Sequence, residues 1–220
     1  MSNLIQTILI YALPVIFAIT VHEAAHGYVA RYFGDTTASL LGRVTLNPIK
    51  HIDPIGTVVM PLMLYFATSG AFLFGYAKPV PVQWRNLHNP KRDMVWVALA
   101  GPGSNLAMAL FWTLVLLALA TTGIGEEFFI RMARGGILVN LVMAAFNLFP
   151  LPPLDGGRVL AGLLPQGAAQ NLLARIEPFG FFIVMALVLT HIVDRYWLTP
   201  LIRVGYQILL FLFPSVARLL

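Results

Sequence analysis

The chain has 220 residues, 59% of them hydrophobic and only 10% charged, with a mean hydropathy of +0.81 and no cysteine. A soluble domain carries about 25% charged residues, so this composition fits a membrane protein. The missing cysteines exclude disulfides, thiolate metal sites and cysteine nucleophiles. The formal charge of +5 fits basic loops retained on the cytoplasmic side. No basic helix or aromatic-interleaved basic stripe points to nucleic acid.

Hydrophobic runs long enough for membrane helices fall at about Leu4–Phe33, Ile55–Tyr76, Met94–Thr122, Gly136–Pro150, Phe179–Val193 and Leu201–Phe213. The first run lacks a basic n-region and a small-residue cleavage site, so it reads as a retained helix and not a signal peptide. The second is interrupted by Pro61 and Ser69-Gly70, which marks a helix that does not complete a crossing. After it, Lys78-Pro79-Val80-Pro81-Val82 cannot be helical, because alternating prolines force an extended backbone. The fourth run stops at the proline-rich Leu151–Asp155. The expectation is an all-α polytopic membrane protein of about five to six hydrophobic helices, with a re-entrant segment and a short extended edge. One membrane-embedded domain over 1–220, with no soluble partner domain, accounts for the length.

Near the end of the first run stands His22-Glu23-Ala24-Ala25-His26, an H-E-x-x-H motif. On a helix, positions i and i+4 share a face, so both imidazoles can reach one ion. A catalytic zinc has three protein ligands and an open position for water, and Glu23 is placed to take a proton from that water. Two packed core histidines are the bland alternative. Against it, each ionisable group at the centre of a membrane helix costs about 2.5–3.5 kcal/mol on insertion scales. Three such groups in five residues need something to bind them.

The third ligand must come from elsewhere. Asp155 closes the fourth run and is followed by Gly156-Gly157, which allow close backbone approach. Asp-Gly is also a common turn pair, so spacing leaves Asp155 open between ligand and turn residue. Asn140 and Asn147 are seven residues apart and share a helical face; Asn140 reads as helix packing. Asn105, after Gly101-Pro102-Gly103-Ser104, reads as packing against the helix that carries the motif. His51 and Asp53 fit a cap or turn better than a second metal site. Trp84, Trp96, Trp112 and Trp197 read as interface anchors or packing.

Together, His22-Glu23-Ala24-Ala25-His26 and Asn147 through Leu154-Asp155-Gly156 resemble the site-2 protease family of intramembrane metalloproteases. The resemblance extends to Asn47-Pro48 through Gly56 and to Ala100-Gly101-Pro102-Gly103-Ser104-Asn105. It implies one zinc per chain held by His22, His26 and Asp155, with Glu23 as general base and Asn147 orienting substrate near the metal. It implies an endopeptidase acting on transmembrane segments of other proteins in the lipid bilayer. None of the PDZ or CBS domains of some relatives is recognisable, and Ile55–Tyr76 looks like an addition to a minimal member.

A substrate helix must unwind before its carbonyl can be attacked, and an extended edge would hold it by strand addition. Phe74–Val82 is the candidate, with Lys78, Pro79, Val80, Pro81 and Val82 as substrate-binding residues; a plain connecting loop is the alternative. A membrane metal-ion transporter is the competing function, but it needs polar positions throughout the bilayer. An inactive scaffold would have no need of Glu23.

Topology follows from the ligands. The first and fourth runs must be parallel to bring their C-terminal ends to one depth, and Met94–Thr122 supplies the single crossing between them. If Ile55–Tyr76 only re-enters, ten of the fourteen basic residues, Arg31, Lys50, Arg85 and Arg218 among them, share one side, opposite Arg131, Arg134, Arg195 and Arg203; a full crossing divides them seven to seven. The positive-inside rule favours re-entry, with the N-terminus outside and the zinc site near the cytoplasmic face of the plasma membrane.

Overall fold

The computed structural model describes residues 2–67, 77–122, 126–165 and 167–220. In chain order its α-helices are α1 (Ser2–Tyr32), α2 (Thr37–Leu40), α3 (Met60–Ala67), α4 (Pro90–Thr122), α5 (Glu127–Asn147), α6 (Asp155–Leu163), α7 (Ala168–Ile176), α8 (Gly180–Leu189) and α9 (Thr199–Leu212). No strand occurs among the described residues, so the fold is all-α and polytopic. Four helical stretches, Ile5–Tyr32, Pro90–Thr122, Glu127–Asn147 and Ala168–Leu189, are long and apolar enough to cross a membrane. On α1, Ile5, Ile8, Ile16 and Phe17 are exposed apolar side chains. An outer face of that kind suits lipid rather than water.

The centre is a three-helix unit of α1, α4 and α5. Side chains pair along it in a consistent order. The Tyr11 ring lies against Gly135, Asn105 Nδ2 donates to Ala18 O at 3.2 Å, and Asn105 Nδ2 also donates to Asn140 Oδ1 at 3.0 Å. Residue numbers rise together on α1 and α5 and fall on α4. Thus α1 and α5 are parallel with α4 antiparallel between them, as expected from sequence for the first and fourth runs. A core of Ala109, Trp112 and Leu116 on α4, Ala133, Ile137 and Leu141 on α5, and Leu209 and Val216 fills the end away from the motif. Burial of each large side chain there contributes about 1.5–3 kcal/mol.

After α1 the chain makes a polar excursion and returns. Asp53 caps the helical turns at Pro54–Val59, accepting from Ile55 N at 3.0 Å and Gly56 N at 2.7 Å. His51 Nε2 donates to Thr45 O at 2.9 Å. These are the cap and turn roles expected of the pair. The helix α3 that follows has eight residues, about 12 Å at 1.5 Å per residue. Lys78 N donates to His51 O at 2.9 Å, and His88 N to Phe33 O at 2.8 Å. His51 and Lys78, on either side of segment 52–77, therefore lie at the same end of the bundle. Ser69-Gly70 and Phe74–Tyr76, to which the re-entrant and edge readings also appealed, lie outside the described residues.

One expectation is corrected. Trp197 Nε1 donates to Ala145 O at 2.8 Å, and Arg134 Nε donates to Leu219 O at 2.5 Å. Hence α9 runs antiparallel to α5, starting at the motif end and finishing at the other. Arg195 and Arg218 exchange the ends assigned to them from sequence. The physical reason is the preceding segment: Gly180 of α8 packs against Pro152 O, and by Trp197 the chain is again beside Ala145. Counting crossings from hydropathy alone cannot detect such a return.

Candidate active site

The site forms where α1, α4 and the start of α6 meet. His22 and His26 lie one turn apart on α1. Asp155 opens α6, which the chain reaches by folding back over residues 148–154. Gly156 and Gly157 make that fold possible, because a Cβ on either would stand 2.2 Å from Leu148 O or Pro152 N. The close approach expected of these glycines is thus to the chain's own turn.

Three donor atoms converge. His22 Nε2 is 3.1 Å from His26 Nε2 and 3.3 Å from Asp155 Oδ2, while His26 Nε2 is 3.4 Å from Asp155 Oδ1. Each imidazole is fixed from behind. His22 Nδ1 donates to Asn105 Oδ1 at 2.6 Å, and His26 Nδ1 donates to Val97 O at 2.7 Å. The Asn105 amide is oriented in turn by its donations to Ala18 O and Asn140 Oδ1, and Asn140 Nδ2 donates to Gly136 O at 2.8 Å. With both Nδ1 atoms protonated, both Nε2 atoms carry lone pairs, and these face each other and a carboxylate. Asp155 Oδ2 is buried with no hydrogen-bond partner. Two lone pairs and an orphaned carboxylate oxygen around one point call for a cation.

The donor set fits zinc. Ligand distances of about 2.0–2.2 Å in a tetrahedron place ligand atoms about 3.3–3.6 Å apart, close to the separations here. Space is kept by Gly101 on α4, where a Cβ would stand 2.4 Å from His26 Nε2 and 2.6 Å from His22 Nε2. Anchoring the far nitrogen of each histidine is the usual way a protein fixes tautomer and aim at a metal. Sequence reading assigned Asn105 to packing and gave Gly101 no role beyond close approach of helices. Their common signal was small and polar residues in the middle of an apolar run.

A cavity of about 1160 Å³ opens over these atoms. Its polar part is His22, Glu23, His26, Asn147, Asp155 and Arg158, and its apolar walls include Val15 and Ile19 of α1, Leu138 and Val142 of α5, and Val184 of α8. On α1 the wall residues share one face with His22 and His26 at helical spacing. The polar groups gather at one end, which does not suit an ion path through a bilayer. Glu23 Oε2 accepts from Val80 N at 2.7 Å. This bond brings Lys78–Val82 beside the motif, and Pro79, Val80 and Val82 also line the cavity. Asn147 Nδ2 donates to Met143 O at 3.0 Å, and the residue lines the cavity. Arg158, one turn beyond Asp155, pairs with Glu177 and stacks over Trp84 at 5.7 Å. The sequence gave no signal for that pairing.

The family description "Peptidase family M50" matches residues 127–191, which include Asn147 and Asp155. The Bacillus subtilis protein named "Putative zinc metalloprotease YwhC" is 40% identical over 214 residues, covering 93% of this chain and 90% of its own. Proteins named "Putative zinc metalloprotease Rip2" are also similar. That of Mycolicibacterium smegmatis is 30% identical over 187 residues, covering 83% of this chain and 67% of its own. That of Mycobacterium tuberculosis H37Rv is 29% identical over 201 residues, covering 87% and 73%. No solved structure matches the chain.

Proposed function

Because the chain belongs to peptidase family M50, the site-2 protease family, and is an intramembrane zinc metalloprotease, we propose that His22, His26 and Asp155 hold its one zinc ion and that Glu23 is its general base. The observation that carries this reading is the pair of imidazoles with both Nδ1 atoms bonded to oxygen, so that both Nε2 atoms face the Asp155 carboxylate, whose Oδ2 is orphaned. Zinc, when bound, supplies Lewis acidity toward a carbonyl oxygen and acidity to water. Glu23 takes the proton from the attacking water and returns it to the departing amine. Asn147 donates its remaining N–H to the substrate carbonyl, holding it as charge develops there. Lys78, Pro79, Val80, Pro81 and Val82 lie along the unwound substrate segment and engage its backbone. Prolines at 79 and 81 limit this to an edge.

The substrates are transmembrane segments of other proteins, and the apolar walls above the polar floor support this. Residues 1–220 act as one metalloprotease domain, in the plasma membrane, with the site toward the cytoplasm. In sealed vesicles, the reconstituted protein should cleave a peptide carrying a membrane segment. Chelation should stop cleavage and added zinc should restore it. Cleavage indifferent to chelator would remove the metal from the reaction.

Sidedness has its own test. Because the chain has no cysteine, Lys50→Cys and Arg85→Cys can be labelled cleanly. Both should react with a membrane-impermeant thiol reagent from the same side of sealed vesicles, and that side should be the cytoplasmic one. Labelling from opposite sides would mean that 52–77 crosses.

A further inference from the structure

Between Lys78 and Val82, prolines 79 and 81 leave amide hydrogens only on Lys78, Val80 and Val82. No strand among the described residues pairs with this segment, so its backbone groups are bound one at a time, by the loop that follows α1 and by Glu23 of α1 itself. At one end Arg43 Nη2 donates to Lys78 O at 2.8 Å and to Pro79 O at 3.3 Å. At the other, Gln83 N donates to Asp35 Oδ2 at 2.7 Å, and Asn86 Nδ2 to Asp35 Oδ1 at 3.1 Å. Between the two anchors, Val80 N meets Glu23 Oε2. Beneath it the Val80 side chain is pressed against the motif helix, 3.1 Å from where a Cβ on Gly27 would stand.

Arg43 and Asp35 are 9% and 0% exposed, and neither forms an ion pair among the described residues. A buried guanidinium facing carbonyls, and a buried carboxylate facing N–H groups, each bear a desolvation cost that no opposite charge offsets. Burial alone would raise the Asp35 pKa. Its hydrogen bonds from Thr37, Gln83 and Asn86 instead hold it below the usual carboxylate value, so it is an anion at neutral pH. Charges held at this cost are better explained by the geometry they fix than by stability. What they fix is a segment whose central amide touches Glu23.

We infer that Arg43 and Asp35 are positioning residues for catalysis: they pin Lys78–Val82 at its two ends so that the Val80 amide holds the Glu23 carboxylate in place over the site. A glutamate has three rotatable side-chain bonds, and a tether on one carboxylate oxygen removes most of that freedom. Misplacing a catalytic group by about 1 Å can cost about 100-fold in rate. This inference rests on Glu23 being the general base.

The test is steady-state cleavage of a membrane-segment peptide by purified Arg43→Met, Arg43→Lys and Asp35→Asn, with zinc content measured on the same samples. Methionine keeps the apolar stem of Arg43 and loses its donors. Arg43→Met should keep zinc and lose about 10- to 100-fold in kcat, with KM changed by less than about threefold. Arg43→Lys, which retains one reachable donor, should recover part of the loss. Asp35→Asn should shift kcat in the same direction. Hydrogen exchange at the Val80 amide should quicken in Arg43→Met. Unchanged kcat in Arg43→Met overturns the inference. So does a change confined to KM, which would assign the segment to substrate capture alone. So does loss of zinc or folding in both Arg43→Met and Asp35→Asn, which would make the network purely structural. Glu23→Gln in the same assay separates the two readings. If it stays active, the base assignment fails; if it is inactive while Arg43→Met is fully active, only this inference fails.

Discussion

Glu23→Gln is expected to keep its zinc and lose proteolysis. Glutamine has the same length and shape and still offers an oxygen to the Val80 amide, now met at 2.7 Å by Glu23 Oε2. The proposed ligand atoms are untouched, since His22, His26 and Asp155 face one another without Glu23. What the amide cannot do is accept a proton from water. General acid–base catalysis is worth about 10²- to 10⁴-fold, and a loss of that size is expected in kcat. Zinc content measured beside initial rates checks both halves. His22→Ala, His26→Ala and Asp155→Ala should behave differently and lose metal and activity together. Near-normal turnover in Glu23→Gln would take the base away from Glu23.

Gly101→Ala is expected to lose zinc, although residue 101 is no ligand. Its new methyl carbon would stand 2.4 Å from His26 Nε2 and 2.5 and 2.6 Å from His22 Cε1 and Nε2. Carbon and nitrogen do not approach so closely, so something must move. The imidazoles cannot back away freely, because His22 is tied to Asn105 and His26 to Val97 O. Helix α4 is itself packed against α1, α5 and α6. Disturbing the support behind metal ligands alone costs about 10- to 100-fold in affinity, and a methyl group among the proposed ligand atoms should cost more. Gly103→Ala is the matched control: it lies on the same helix, and nothing stands within 4 Å of its added Cβ. Metal titration should therefore separate the two variants, with Gly103→Ala binding normally. Full zinc affinity in Gly101→Ala would show that α4 does not press on the site in this way.

The local sequence determined several things by itself. Hydropathy fixed the membrane class and the approximate helices, because runs of apolar residues have no other stable place. Helical periodicity put His22 and His26 on one face, because a four-residue spacing is about one turn. The family resemblance, by implying that Asp155 meets them, led to the expectation of parallel first and fourth runs. The proline pattern at 79 and 81 ruled out helix there, because proline lacks an N–H and constrains the residue before it.

Long-range contacts decided the rest. Asn105 lies 83 residues from His22, and Val97 lies 71 from His26; no local pattern encodes which carbonyl or amide will stand behind an imidazole. Arg43 and Asp35 look like ordinary loop charges until the chain folds back 35 and 48 residues later to bring Lys78 and Gln83 against them. The direction of α9 was likewise hidden. Hydropathy records how apolar a run is, but not whether the chain passes through the bundle or turns back beside it. That choice is made by packing, in the contacts of Gly180 with Pro152, Trp197 with Ala145 and Arg134 with Leu219.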